Sequence, residues 1–90
     1  MVANKQKVIR LLKTARGQID GLLKMVEEDR YCVDISNQIA ATQAILKSAN
    51  REILHAHIQG CVREAFENGD QQQKDAKIEE IIAIFDRLNQ

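Results

Sequence analysis

Ninety residues with 13 Lys and Arg against 13 Asp and Glu carry no net charge; 44% are hydrophobic, yet only 3% are aromatic, and there is no proline. That composition favours long helices and excludes a turn-rich β-sandwich. No stretch approaches the roughly 20 apolar residues of a bilayer span, and the opening MVANKQKVIR lacks a signal-peptide core. One small domain over residues 1–90 is therefore expected, with no membrane partner, in a reducing cytoplasm where the two cysteines stay free thiols.

The first helix is expected from Lys5 to Glu28. Val8, Leu11, Leu12, Ala15, Ile19, Leu22, Leu23 and Val26 recur at three- and four-residue intervals. Gly17 and Gly21 sit inside this stripe, each at a cost of about 1 kcal/mol relative to alanine; close approach of another helix or a bend would account for them. Glu28-Asp29-Arg30 breaks the pattern, and Asp29 suits the cap of a second helix.

That second helix is expected from Tyr31 to Glu67, with Ile35, Ile39, Thr42, Ile45, Leu46, Ala49, Ile53, Leu54, Cys61, Val62 and Ala65 on its apolar face. Such a rod is about 50 Å long. One 90-residue protomer cannot cover it with two further helices, so an oligomer is expected. Asn68-Gly69-Asp70 is a stop, the QQQKD after it reads as a loop or frayed start, and a third helix is expected over Asp75–Leu88. The fold class is all-α: an antiparallel three-helix protomer with a very long central helix.

Three residues of the second helix carry chemistry. His57 and Cys61 lie four apart, on one helical face, and can hold one ion. Cys32 opens the helix, where free N–H groups favour the metal-binding thiolate form; a small apolar residue is its bland alternative. Along a straight helix Cys32 and Cys61 would stand about 43 Å apart, too far for a disulfide or a shared site within one chain. An antiparallel partner brings its own Cys32 to this chain's His57 and Cys61. Two sulfurs and one imidazole suit a soft ion, copper(I) above all, and the paired C-x2-C of a zinc finger is missing.

Enzymatic readings find no support: there is no glycine-rich phosphate loop, no G-x-S-x-G elbow, and no room in a thin bundle for a Cys–His pair with its orienting partner. Charge is uneven along the chain. Lys5, Lys7, Arg10, Lys13, Arg16 and Lys24 face only Asp20 in the first 24 residues, whereas acids outnumber bases from Cys61 onward. A basic end opposite an acidic one suits a polyanion partner; an ordinary solvated helix face has the same composition.

With these positions in place, the runs ARGQIDGLLKMVEEDRYCVDISNQIAATQAIL and HAHIQGCVREA resemble the copper-sensitive operon repressor family, also called the CsoR/RcnR family of bacterial metal sensors. The likeness extends from about Lys5 to Leu88, and the G-Q-I-x-G stretch, the Tyr31-Cys32 pair and the H-x3-C pair are its most specific parts. It implies a three-helix protomer assembled as a dimer of dimers, whose apo tetramer grips operator DNA and releases it on binding its effector. In the copper branch, Cys32 of one protomer would join His57 and Cys61 of its mate around copper(I). Persulfide-sensing members keep both cysteines and typically lack the histidine, so a thiol-based repressor using Cys32 and Cys61 is the alternative.

The resemblance further implies that Tyr31 and Glu80 link to His57 in a hydrogen-bond network outside the ligand set. A longer loop around QQQKD than in typical copper members leaves Glu79 and Glu80 competing for that place, and either could be a plain solvated charge. It also implies DNA contacts from basic residues of the first two helices, here Arg10, Lys13, Arg16, Lys47 and Arg51. With no helix-turn-helix, phosphate contact and shape should outweigh base readout.

Overall fold

The computed structural model describes residues 3–88. Three helices succeed one another: α1 (Lys5–Glu27), α2 (Cys32–Asn68) and α3 (Gln71–Leu88). α1 starts where Asn4 Oδ1 accepts the Lys7 N–H at 3.1 Å, which satisfies one of the orphan donors of the first turn.

The end of α1 departs from the expected assignment of Asp29. Arg30 N–H donates to the Met25 carbonyl at 3.0 Å and Asp29 N–H to that of Val26 at 3.1 Å. Asp29 itself is left-handed, with φ 54°. This is a Schellman ending, with aspartate in the position glycine usually takes; aspartate enters that region more readily than most residues. Asp29 therefore terminates α1 rather than capping α2. The residue before α2 is Tyr31, and its side chain makes no capping hydrogen bond.

The start of α3 also differs. QQQKD is helical, and α3 begins four residues earlier than its apolar stripe suggests. Gln73 N–H donates to Asp70 Oδ1 at 2.9 Å, while Asp70 N–H donates to Gln73 Oε1 at 3.1 Å. This reciprocal pair is a capping box, so Asp70 belongs to α3 and not to the stop before it. Gly69 closes α2, its N–H donating to the Ala65 carbonyl at 2.8 Å. A Cβ at Gly69 would collide with that same carbonyl oxygen. The tight corner thus needs glycine for lack of space, in an extended backbone with φ −90°.

Cross-helix pairs give the topology. Lys7 Nζ meets Glu52 Oε2 at 3.2 Å, and Thr42 Oγ1 donates to Gln18 Oε1 at 2.8 Å. As numbers rise along α1 they fall along α2, so the two run antiparallel. His57 meets Glu80, while Lys47 and Arg51 border Phe85 and Leu88, so α3 runs antiparallel to the second half of α2. The first turns of α2 pack on α1, where Ile35 and Ile39 share a groove with Ile19, Leu22, Leu23 and Val26.

The core is thin. The buried hydrophobic residues are Ala3, Val8, Ala15, Ala49 and Ala65, and α3 has none. Leu23, Val26, Ile39, Ile78, Ile82 and Phe85 are exposed. The accessible surface is 6916 Å², against about 5300 Å² for a compact monomer of this mass. The radius of gyration is 17.9 Å, against about 12 Å for a compact 90-residue domain. Gly17 and Gly21 meet no atom within 4 Å of an added Cβ, so nothing among the described residues accounts for them by close approach. Among the described residues, no helix is long and apolar enough to cross a membrane.

Candidate functional site

The second half of α2 places His57 and Cys61 one turn apart, facing α3. Cys61 Sγ lies 3.5 Å from His57 Nδ1. The other ring nitrogen, Nε2, lies 2.6 Å from Glu80 Oε1. A carboxylate accepts only, so the Nε2–H donates to it and the proton is fixed on that nitrogen. In the neutral ring, Nδ1 then carries a lone pair facing the Cys61 thiol. Glu80 is thus the carboxylate against His57, one helical position beyond the exposed Glu79.

Lys77, one turn before Glu80, donates from Nζ to Glu80 Oε2 at 3.1 Å. Each oxygen of Glu80 therefore has a partner. The hydrogen bond from His57 and then that from Lys77 hold the carboxyl below its ordinary range, and the hydrogen bond to Glu80 raises the Lys77 ammonium. A carboxyl depressed in this way contributes stability above the unfolded value of about 4.5, and that contribution is lost as pH falls through the lower folded value. Thermal melts of the native chain should therefore lose stability below about pH 4.5 more steeply than those of a Glu80→Gln variant. Parallel curves would show that the carboxylate does not hold α3 to α2.

The donor spacing fits a metal. An ion bound at about 2.0 Å to nitrogen and 2.3 Å to sulfur, with an angle between tetrahedral and trigonal, separates its donors by about 3.5–3.7 Å. The observed 3.5 Å between Nδ1 and Sγ matches that bite without a rotamer change. Sulfur with imidazole is a soft pair that favours copper(I) or zinc over hard cations. Among the described residues, no group of three or more His, Cys, Asp or Glu has the geometry to hold an ion.

Cys32 is the first residue of α2, exposed and free. Twenty-nine residues of helix, about 43 Å, separate it from Cys61. Tyr31 beside it is 67% exposed and equally remote from His57. One chain thus joins His57, Cys61 and Glu80 but leaves Tyr31 and Cys32 at the far end of the rod. His55 is exposed.

The five basic candidates fall into two places. Arg10 and Lys13 line a shallow depression on α1 with Gln6, Ile9 and Thr14. Lys47 and Arg51 line another with Phe85 and Leu88. The depressions share no residue, although the register of the pair Lys7–Glu52 and the pair Gln18–Thr42 puts them at a similar level along the hairpin. Arg16 is exposed on α1. Lys77 is the residue that sequence reasoning misses. Its i,i+3 spacing to Glu80 on the expected third helix is a usable signal.

The chain resembles known proteins over most of its length. The family model described as metal-sensitive transcriptional repressor matches residues 4–87. The copper-sensing transcriptional repressor CsoR of Mycobacterium tuberculosis strain H37Rv is 44% identical over 82 residues, which are 91% of this chain and 66% of that protein. The chain thus spans slightly under two thirds of the length of this relative. Two solved structures share the fold. The nickel-responsive transcriptional regulator InrS has a TM-score of 0.78 at 31% identity, covering 98% of this chain and 96% of the other. The copper-sensing repressor CsoR with Cu(I) from Geobacillus thermodenitrificans NG80-2 has a TM-score of 0.73 at 36% identity, covering 89% and 83%. The helical hairpin, the short third helix and the match over residues 4–87 place this chain in the metal-sensitive transcriptional repressor family.

Proposed function

We propose that this chain is a copper(I)-responsive transcriptional repressor whose apo tetramer, a dimer of dimers, binds operator DNA and is released when copper(I) occupies a site built from Cys32 of one protomer and His57 and Cys61 of its mate. The observation that carries the reading is the Cys61 Sγ to His57 Nδ1 bite of 3.5 Å with Nε2 committed to Glu80. Two donors are in place, and one further soft ligand completes a trigonal set. Cys32, free and exposed at the opposite end of α2, supplies it only from a chain running the other way.

The surface supports such a partner. An apolar groove of Ile19, Leu22, Leu23, Val26, Ile35 and Ile39 opens beside the Cys32 end. The exposed Ile78, Ile82 and Phe85 of α3 lie toward the other end of the rod. Two antiparallel copies place these apolar surfaces at matching levels, and burying them at about 25 cal/mol per Å² supplies what the thin core lacks. Tyr31 would arrive together with Cys32, next to the His57–Glu80 pair.

Copper(I), when bound, supplies a soft Lewis acid that draws two thiolates and one imidazole together. The chain's own groups do the rest. His57 commits its Nδ1 lone pair, which strengthens the Nε2–H as a donor to Glu80. Glu80 transmits that tie to α3. The far end of α3 borders Lys47 and Arg51 through Phe85 and Leu88, so a change in α3 docking reaches basic residues suited to DNA phosphates. Lys47, Arg51, Arg10, Lys13 and Arg16 are the proposed contacts, and their affinity should fall steeply with salt.

The test is an anaerobic titration of copper(I) into the complex of the protein with an operator selected from random DNA by the apo form. Release by about 100-fold, equivalent to about 2.7 kcal/mol of coupling, is expected. Unchanged affinity at saturating copper(I), with release by nickel(II) instead, would favour the property named for the nickel-responsive neighbour. A second reading has its own support: both thiols are free and Cys61 lies against an imidazole. A persulfide donor would then link Cys32 and Cys61 between subunits, and mass spectrometry of crosslinked dimers separates the two cases.

A further inference from the structure

Lys77 stands outside the ligand trio and outside the Tyr31–Glu80–His57 network, yet it closes a ring around the site. Its Nζ is 3.1 Å from Glu80 Oε2, Glu80 Oε1 is 2.6 Å from His57 Nε2, and His57 Nδ1 is 3.5 Å from Cys61 Sγ. Lys77 and Cys61 then face each other across one depression of about 410 Å³, which Glu64 and Gln73 also line. The ammonium is the cation of this group. Its side chain is 32% exposed, less than those of Glu80 and His57 beside it.

We propose that Lys77 is a selectivity residue, which keeps the Glu80 carboxylate out of the coordination sphere and biases the site toward univalent over divalent cations. The inference rests on the metal site proposed above. Two physical effects support it, and both act in the same direction. First, Glu80 has two oxygens, and both are engaged, one by His57 and one by Lys77. A carboxylate is the ligand that harder divalent ions seek beside sulfur and nitrogen. While Lys77 holds Oε2, that oxygen is not free to bind. Second, a fixed positive charge near the ion repels it in proportion to the ion's own charge. A divalent cation suffers twice the penalty of a univalent one, so Lys77 costs zinc(II) more than copper(I).

The two effects make distinct demands on a replacement. Arginine keeps the charge and can still donate to Oε2. Methionine keeps the length and the apolar stem but loses both charge and donor. A Lys77→Met variant frees one oxygen of Glu80 and removes the repulsion together. Replacing Glu80 with glutamine in the same chain removes the freed carboxylate and restores the net charge of the native ring.

The experiment measures affinities for copper(I) and zinc(II), each against a chromophoric chelator under anaerobic reducing conditions, in the native chain, Lys77→Arg, Lys77→Met and Lys77→Met/Glu80→Gln. Cobalt(II) absorption serves as a second readout, since its d–d bands report coordination number and donor type. Lys77→Met is expected to raise zinc(II) affinity relative to copper(I) by about tenfold at low ionic strength, less in high salt, with a changed cobalt(II) spectrum. Lys77→Arg should stay within about twofold of native, and the double variant should return toward it. Circular dichroism checks that each variant remains helical. A flat zinc-to-copper ratio across the series, or an arginine variant shifted as far as the methionine one, overturns the role of Lys77 while leaving the metal site intact. If the native chain binds copper(I) without thiolate-to-copper charge-transfer absorption, the site itself fails and the inference with it.

Discussion

A His57→Ala variant is expected to go on binding copper(I) while losing the response of its DNA affinity to copper. Copper(I) accepts two thiolates alone, so Cys32 and Cys61 still hold the ion after the imidazole is removed. The loss is the connection to α3. Of the three proposed ligands, His57 is the one bonded to that helix, through Nε2 and Glu80 at 2.6 Å. α3 contributes no fully buried residue of its own, and the His57–Glu80 hydrogen bond is a direct polar tie between it and α2. Allostery requires the effector to distinguish two states of the protein. Without the imidazole the ion loses its hydrogen-bonded link to α3 through Glu80. The expected numbers are about 100-fold weakening of operator binding by copper(I) in the native chain and less than about threefold in the variant, read by fluorescence anisotropy. A variant that still releases DNA fully would mean that the signal passes through the sulfurs and α2 alone.

The geometry behind that expectation is legible in the sequence to very different degrees. The long rod is plain, because an apolar stripe runs from Ile35 to Ala65 with no proline and only Gly60 within it. His57 and Cys61 are legible together because a four-residue spacing puts two side chains on one face whatever surrounds the helix. The two helix junctions are harder, since aspartate serves equally as a helix cap and as a left-handed terminator. Asp29 reads as the start of α2 and is the end of α1. Asp70 reads as part of a stop and is the capping partner of Gln73. Both cases turn on which neighbour the backbone N–H finds, and composition does not encode that. Lys77 and Glu80 both lie inside the Asp75–Leu88 helix read from the sequence, three apart on one face; which of Glu79 and Glu80 meets His57 depends on how α3 docks on α2, and the sequence does not encode that. The separation of Cys32 from Cys61 along one rod is itself legible, and it is what makes the proposed site one shared between chains.

The proposed contact leads to the strongest expectation. Cys32→Ser and Cys61→Ser variants, each prepared alone, should both lose tight copper(I) binding, because each homodimer lacks one sulfur at both of its sites. Mixed in equal amounts and allowed to exchange subunits, they should recover part of it. In an antiparallel dimer of one variant with the other, one site carries both serines, while the second keeps Cys32 from the Cys61→Ser chain and His57 with Cys61 from the Cys32→Ser chain. Random exchange makes about half of the dimers mixed, each with one of two sites whole, so tight binding should return to about a quarter of the native stoichiometry. The distance along α2 is what gives this result its force. About 43 Å of continuous helix separates the sulfurs in one chain, and the Sγ of Cys61 is committed to a pocket that Cys32 of the same chain cannot reach. Recovery therefore requires two chains lying head to tail. No recovery after verified exchange would leave each chain with only the pair His57 and Cys61, and a repressor built on that pair would need its third ligand from solvent or from a small thiol.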